Sequence, residues 1–179
     1  MTINNDKQHR FMQSAIDLAG KAHSQGEFPV GCVITYRQQI VATGARINSK
    51  EGSVNELDHA EINALREFSR LTEPMIKKEA TLYCTLEPCL MCYAAIALSG
   101  IGNIVYAYED AMGGGTSCNM QTLSPLYRDN TISITSGIMR NESIALFQEF
   151  FSDPKNVYWK ESYLSKYTMA QHIEADCSV

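Results

Sequence analysis

The sequence predicts a mixed α/β fold, a single domain in which helices layer a mixed sheet, and three observations predict it. Short apolar runs of strand length alternate with longer segments of helical periodicity; the first two strands are joined by a short polar turn; and later strands are separated by a helix. A short turn makes its two strands antiparallel, whereas a strand-helix-strand crossover makes parallel neighbours, so the sheet is mixed. The 179 residues are 45% hydrophobic, enough for one real core and no reason for a second.

The first helix is predicted from about Asp6 to Ser24, where Phe11, Ala15, Leu18, Ala19 and Ala22 recur at helical spacing. Pro29–Tyr36 and Gln39–Arg46 read as the two strands of the hairpin. Asp58 then reads as the N-cap of a helix running from His59 to about Arg70, with Ile62, Leu65 and Phe68 as its apolar stripe. Ala80–Leu86 is a strand entering directly into a helix whose first turn holds Pro88, where a missing N–H costs nothing, and which stops at Gly100. Asn103–Tyr108 is a fourth strand, Gly113–Gly115 opens a loop, and Ile132–Ile138 is a fifth strand. Asn141 is expected to cap a helix through Phe151. In the tail from Asn156 to Val179, Tyr158, Trp159, Tyr163 and Tyr167 stand at roughly helical spacing, which suits a packed helix better than a lid over a site.

Composition narrows the class. No apolar run approaches the ~20 residues a membrane span needs, and Met1–Arg10 is polar without an apolar signal core, so a cytoplasmic protein is expected. Six cysteines show no disulfide framework spacing: Cys32 and Cys84 lie in apolar strand runs as small hydrophobes, and Cys118 and Cys177 are isolated. Fifteen Lys+Arg against twenty Asp+Glu give a net charge of −5, which disfavours a polyanionic partner because such partners bind mainly through neutralised phosphates.

The chemistry lies in His59-Ala60-Glu61 and, further on, Pro88-Cys89-Leu90-Met91-Cys92. One imidazole and two thiolates are three ligands for a tetrahedral Zn2+, and three rather than four leave a position open for water, which is the catalytic arrangement. Both cysteines would stand at a helix start, where the helix dipole favours thiolate. Glu61 is placed to take a proton from that water and hand it to a leaving group.

Each part taken alone has a plainer reading. Cys-x-x-Cys serves redox pairs and structural zinc sites, and Asp58-x-x-Glu61 matches a capping box. A lone histidine at a helix start is usually no ligand. The conjunction of the two motifs favours the catalytic site, and so does the lack of a fourth cysteine or histidine at motif spacing.

With these residues, Phe28 to Phe151 resembles the cytidine deaminase superfamily, whose zinc deaminases carry His-x-Glu and Pro-Cys-x-x-Cys. Within it, the branch of tRNA adenosine deaminases and guanine deaminases shares Phe28-Pro29-Val30-Gly31, His59-Ala60-Glu61-Ile62, Thr81-Leu82-Tyr83 and Thr85-Leu86-Glu87-Pro88-Cys89-Leu90-Met91-Cys92. The resemblance implies a three-layer α/β/α cytidine deaminase-like fold with a mixed five-stranded sheet, a deaminase domain over residues 1–155 and a helical extension over 156–179. It implies Zn2+ on His59, Cys89 and Cys92, proton transfer by Glu61, substrate contacts from Phe28, Pro29, Val30 and the Ala60 backbone, and a homodimer. Gly114–Met120 and Ile134–Ile138 look more like the tRNA enzymes.

One departure bears on substrate. Where that branch has an asparagine facing the base, the ungapped register gives Arg46, while Asn48 supplies the residue type two positions later. Arg46 is either a solvated strand-end arginine or a reader of a carbonyl or anionic group. With the acidic charge, it favours a small nucleobase-like substrate, free base, nucleoside or related amino-heterocycle, over wobble adenosine in tRNA. A catalytically inactive zinc-stabilised scaffold is the reading from another class, against which Glu61 stands.

Overall fold

The computed structural model describes residues 2–50 and 52–173, the side chains of residues 2–5 excepted. Cys177 and the last residues of the predicted extension lie outside the described residues. A helix α1 (Thr2–Ser24) leads into β1 (Gly31–Tyr36) and β2 (Gln39–Ala45), an antiparallel hairpin turned by Arg37 and Gln38, both at positive φ. Then follow α2 (Ala60–Phe68), β3 (Thr81–Leu86), α3 (Leu90–Ser99), β4 (Asn103–Tyr108), the short α4 (Pro125–Arg128), β5 (Ser133–Ser136), α5 (Arg140–Ser152) and α6 (Tyr163–Met169).

The five strands form one sheet in the order β2-β1-β3-β4-β5, with β1 antiparallel to β2 and β3, and β3, β4 and β5 parallel. This is the mixed five-stranded sheet expected from the alternation, and its alternating side chains divide the core. Val33, Tyr83, Val105 and Ala107 face α1, packing with Phe11, Met12, Ala15 and Ile16. Cys32, Ile34, Leu82, Cys84 and Ile104 face the other way, toward Ala64, Leu65 and Phe68 of α2 and Tyr93 and Ile96 of α3. With both faces covered, all six residues of β1 are buried.

Close backbone contacts fix α1 and α2 on the sheet. A Cβ on Gly31 would lie 2.0 Å from the Ala15 carbonyl oxygen, and one on Gly44 would lie 2.1 Å from that of Ala60 and 2.5 Å from the Ala64 nitrogen. Only glycine lets each helix approach its strand this closely. The second contact sets the height of α2, the helix that begins beside His59.

Several boundaries differ from expectation. Asp58 is not the cap of α2: His59 is, with no side-chain capping bond, and the Asp58 carboxylate instead accepts from Asn48, Asn55 and Arg66. The helix stops at Phe68, short of Arg70. Pro88 lies before the helix rather than in its first turn, because Cys89 is the N-cap of α3, and Gly100 ends that helix at φ 79°. The last long helix is capped by Met139 in left-handed conformation rather than by Asn141. The tail does pack, since Leu164 joins the main core and the Tyr108 hydroxyl meets the Thr168 hydroxyl at 2.9 Å, but its aromatics form no buried stripe: Trp159 is 41% and Tyr163 62% exposed. Among the described residues no helix is long and apolar enough to cross a membrane.

Candidate active site

Two helix starts face each other. The β2–α2 connection delivers His59 at the N-cap of α2, and β3 runs through Glu87 and Pro88 to Cys89 at the N-cap of α3, with Cys92 in its first turn. His59 Nδ1 lies 3.6 Å from Cys89 Sγ and 3.5 Å from Cys92 Sγ, and the three ligand atoms lie within 4.8 Å of one another. Tetrahedral Zn2+ with bonds of ~2.3 Å to sulfur and ~2.1 Å to nitrogen requires an N to S separation of ~3.6 Å. Both nitrogen-to-sulfur separations therefore match those of a Zn2+ site.

Electrostatics favour a thiolate at Cys89. The Cys89 thiol is pushed down to about 4, chiefly by a hydrogen bond from the Cys92 thiol and further by His59, against the opposing effect of burial. Cys92, which supplies that proton and is itself buried, is pushed up. At His59 burial works against the charged form, but Cys89 and Glu61 outweigh it and raise the pKa. Glu61 is 3% exposed on the first turn of α2, and burial raises its pKa above the usual carboxylate range.

A cavity of about 340 Å3 opens onto this group. Phe28, Val30, Ala60, Leu86, Met91 and Met112 give it apolar walls, and Arg46, Glu56, Glu87 and Asp110 add polar ones. Tyr158, Trp159 and Leu164 of the C-terminal segment also line it. Trp159 sits at φ 54°, a backbone conformation that bulky side chains rarely adopt.

Of the residues singled out in the sequence, His59, Cys89, Glu61, Phe28, Val30, Ala60 and Arg46 line the cavity, and Cys92 stands behind it with the other two ligands. Pro29 is buried but is not part of the lining, and Asn48 is turned away, at φ 56° with its amide donating to Asp58 Oδ2 at 2.8 Å. Arg46 is not a solvated strand-end residue: it is 2% exposed. Its Nη1 donates to the Asn55 carbonyl at 2.8 Å, and its Nη2 to Glu56 Oε2 at 3.2 Å and the Tyr158 hydroxyl at 3.1 Å.

Sequence reasoning missed Glu56, Glu87, Asp110, Met112 and the three C-terminal residues. Glu87 had a signal, because it precedes Pro88 inside the motif. Its Oε1 accepts from the Thr116 amide and hydroxyl and its Oε2 from the Asp110 amide, pinning the loop after β4 to the zinc helix. The glycines of that loop serve the same contact: a Cβ on Gly114 would lie 2.4 Å from Glu87 Oε2, and one on Gly115 would lie 2.5 Å from the Leu90 nitrogen. Tyr158 and Trp159 belong to the tail aromatics whose spacing suits packing better than a lid, and they line the cavity; Leu164, also in the lining, carries no local signal.

Comparison with known proteins places this geometry in context. Residues 5–108 match the model of the cytidine and deoxycytidylate deaminase zinc-binding region. The chain is similar to the tRNA-specific adenosine deaminase of Streptococcus pyogenes serotype M18, 30% identical over 151 residues that cover 84% of this chain and 94% of the relative. The fold resembles a solved structure from work on A-to-I editing by tRNA:A34 deaminases at the wobble position, with a TM-score of 0.62 and 28% identity over 76% of this chain and 98% of the other. It also shares its fold with a guanine deaminase from Nitrosomonas europaea, with a TM-score of 0.60 and 21% identity over 79% of this chain and 83% of the other.

Proposed function

Because the chain belongs to the cytidine and deoxycytidylate deaminase family of zinc-dependent hydrolytic deaminases, we propose that its substrate is a small nucleobase-like amino-heterocycle, taken as free base or nucleoside. The observation that carries this reading is the Arg46–Tyr158 contact. Where an RNA- or guanine-directed relative is expected to offer an asparagine to the base, this chain has an arginine whose donors are taken up by its own backbone, Glu56 and the C-terminal Tyr158. The chain thus walls its own cavity, and a volume of about 340 Å3 suits a ligand of base or nucleoside size. The net charge of −5 points the same way.

In the proposed mechanism His59, Cys89 and Cys92 hold Zn2+. When bound, the ion would supply Lewis-acid chemistry that makes water acidic enough to attack near neutral pH. The buried Glu61 carboxylate takes one proton from the attacking water and gives it to the ring nitrogen as the C=N bond opens, then carries the remaining hydroxyl proton to the departing amine. The oxygen adds to the amidine carbon, the exocyclic C–N bond breaks, and ammonia leaves with a carbonyl in its place. Phe28, Val30 and Leu86 present an apolar surface that holds the ring and keeps bulk water from the reacting carbon. The homodimer implied by the family resemblance belongs to this proposal and is checked by light scattering.

A second reading, deamination of wobble adenosine in tRNA, is favoured by the name and similarity of the Streptococcus pyogenes relative. Ammonia release from a panel of free bases, nucleosides, related amino-heterocycles and a tRNA anticodon stem-loop separates the two. Turnover of a small heterocycle, with no retention by tRNA and little salt dependence, is the expected result. Efficient, salt-sensitive turnover of the stem-loop alone would establish the second reading instead.

A further inference from the structure

We infer that the cavity selects against phosphate, so that the substrate enters as an unphosphorylated base or nucleoside and the corresponding 5′-nucleotide is rejected at the wall formed by Arg46, Glu56 and Tyr158. This rests on the deaminase reading and deepens it.

Phosphate recognition needs a cation or a row of unpaired N–H donors aimed at the ligand. Apart from His59, which belongs to the metal group, Arg46 is the one cationic side chain among the described lining residues, and it is engaged. Glu56 Oε2 lies 3.2 Å from its Nη2 and accepts the Tyr158 hydroxyl proton at 2.8 Å, while the same Tyr158 oxygen accepts from Arg46. The Arg46 charge is therefore balanced inside the wall before any ligand arrives.

The remaining lining groups are acidic: Glu56, Glu61, Glu87 and Asp110 stand around the cavity against that single guanidinium. The amide donors nearest to them are also spent. The Met112 and Gly113 amides donate to Asp110 Oδ1, each at 2.9 Å, and the Asp110 and Thr116 amides donate to Glu87. Two thiolates balance the charge of a Zn2+ held by Cys89 and Cys92. A phosphate, carrying about −1.5 to −2 at pH 7, would meet carboxylates without a counterion, whereas a neutral ring carrying N–H donors would meet acceptors. Turning Arg46 to a phosphate would break its bonds to Glu56, Tyr158 and the Asn55 carbonyl together.

The test compares adenine-, guanine- and cytosine-series bases and nucleosides with their 5′-monophosphates, using the zinc-loaded full chain and reading kcat/KM from ammonia release. Like-charge juxtaposition predicts a monophosphate at least ~100-fold poorer than its nucleoside. Glu56→Gln, which leaves Arg46 uncompensated, is expected to narrow that ratio by about tenfold. Should Glu56→Gln melt early, Asp110→Asn, which removes one carboxylate from the lining, is expected to narrow it in the same direction. A wild-type enzyme that turns over a nucleotide as well as its nucleoside overturns the inference while the deaminase reading stands. Ammonia from the tRNA anticodon stem-loop and from no member of the series overturns the small-molecule reading and this inference with it.

Discussion

The Arg46 guanidinium and the Tyr158 hydroxyl lie 3.1 Å apart across 112 positions of sequence. That one contact joins the connection leading to His59 with the segment that follows α5. The rings of Tyr158 and Phe28 are 5.4 Å apart, and Phe28 also packs against Phe147, Phe150 and Phe151. The cavity wall and the helical layer are therefore one packed unit, and substitutions at Arg46 act on both stability and catalysis.

Arg46→Ala is expected to lower unfolding free energy by about 2–3 kcal/mol, because it removes a buried side chain and breaks its pair with a half-exposed Glu56. Denaturant titration reads this directly. The same variant should raise KM about tenfold through a loosened wall. Arg46→Lys should recover little of either, because one ammonium lacks the planar fork that reaches Asn55, Glu56 and Tyr158 together. Full recovery by lysine would show that charge alone matters there.

Glu61→Gln preserves size but cannot accept the proton, so kcat should fall at least ~100-fold while KM stays within a few-fold. Metal content and melting temperature should remain near wild type. Near-normal turnover would assign proton transfer to another group.

The ligand geometry predicts one zinc per chain, and Cys89→Ser or Cys92→Ser should each reduce bound metal sharply at equal protein concentration. Elemental analysis measures this without reference to activity. A chelator should remove activity, and added Zn2+ should restore it; full activity in metal-free protein would exclude the catalytic role of this group.

These sites were legible because they depend on short-range patterns. His59-x-Glu61 and Cys89-x-x-Cys92 are local motifs, and the strands around them show as apolar runs, so the histidine–cysteine group that fits Zn2+, the neighbouring Glu61 and the sheet could be read from the chain. The caps were read less well: Asp58, Asn141 and Pro88 are favourable residue types near helix starts, but tertiary demands moved each boundary. At His59 and Cys89 the cap position is occupied by side chains of the group that fits Zn2+, and Asp58 serves instead to hold Asn48, Asn55 and Arg66. Arg46 could not be placed from sequence because its partners include Tyr158, which no local pattern connects to it.

Gly115→Ala is expected to disable the site from outside it. The added Cβ would sit 2.5 Å from the Leu90 nitrogen and 2.6 Å from its Cα, at the first residue of α3, so backbone must shift. The Gly115 amide would then lose its 2.9 Å bond to the Pro88 carbonyl. Activity should fall at least about tenfold, as a displacement of 1 Å near a reacting centre costs more than that. An equal Ala substitution at Gly20, which meets no heavy atom within 4 Å, is the control and should be silent in activity.

The last expectation concerns acid stability through Glu27. This carboxylate is 6% exposed; its Oε2 accepts from the Ser49 amide and hydroxyl, each at 2.7 Å, and its Oε1 lies 3.3 Å from Lys50 Nζ. Burial alone would raise its pKa, but the Ser49 bonds and Lys50 outweigh it and hold the group below its ordinary value of 4.5. A depressed folded pKa means the unfolded chain binds the proton more readily. The contribution to stability is then complete above the unfolded value and is lost as pH falls through the folded one. Unfolding free energy should hold nearly level as pH falls from 7 to about 5 and decline below that. Protonation of the zinc ligands also destabilises in acid, so the informative quantity is the difference between wild type and Glu27→Gln. At pH 7 the variant should be less stable by about 1.5–3 kcal/mol, the worth of hydrogen bonds to a buried charge. The two proteins should converge as pH falls below 4.5, where the wild-type carboxylate takes up its proton. A gap that stayed constant down to pH 3 would mean that shape rather than charge at Glu27 secures the Ser49 turn, and with it the Phe28 amide that Ser49 Oγ accepts at 2.7 Å beside the cavity.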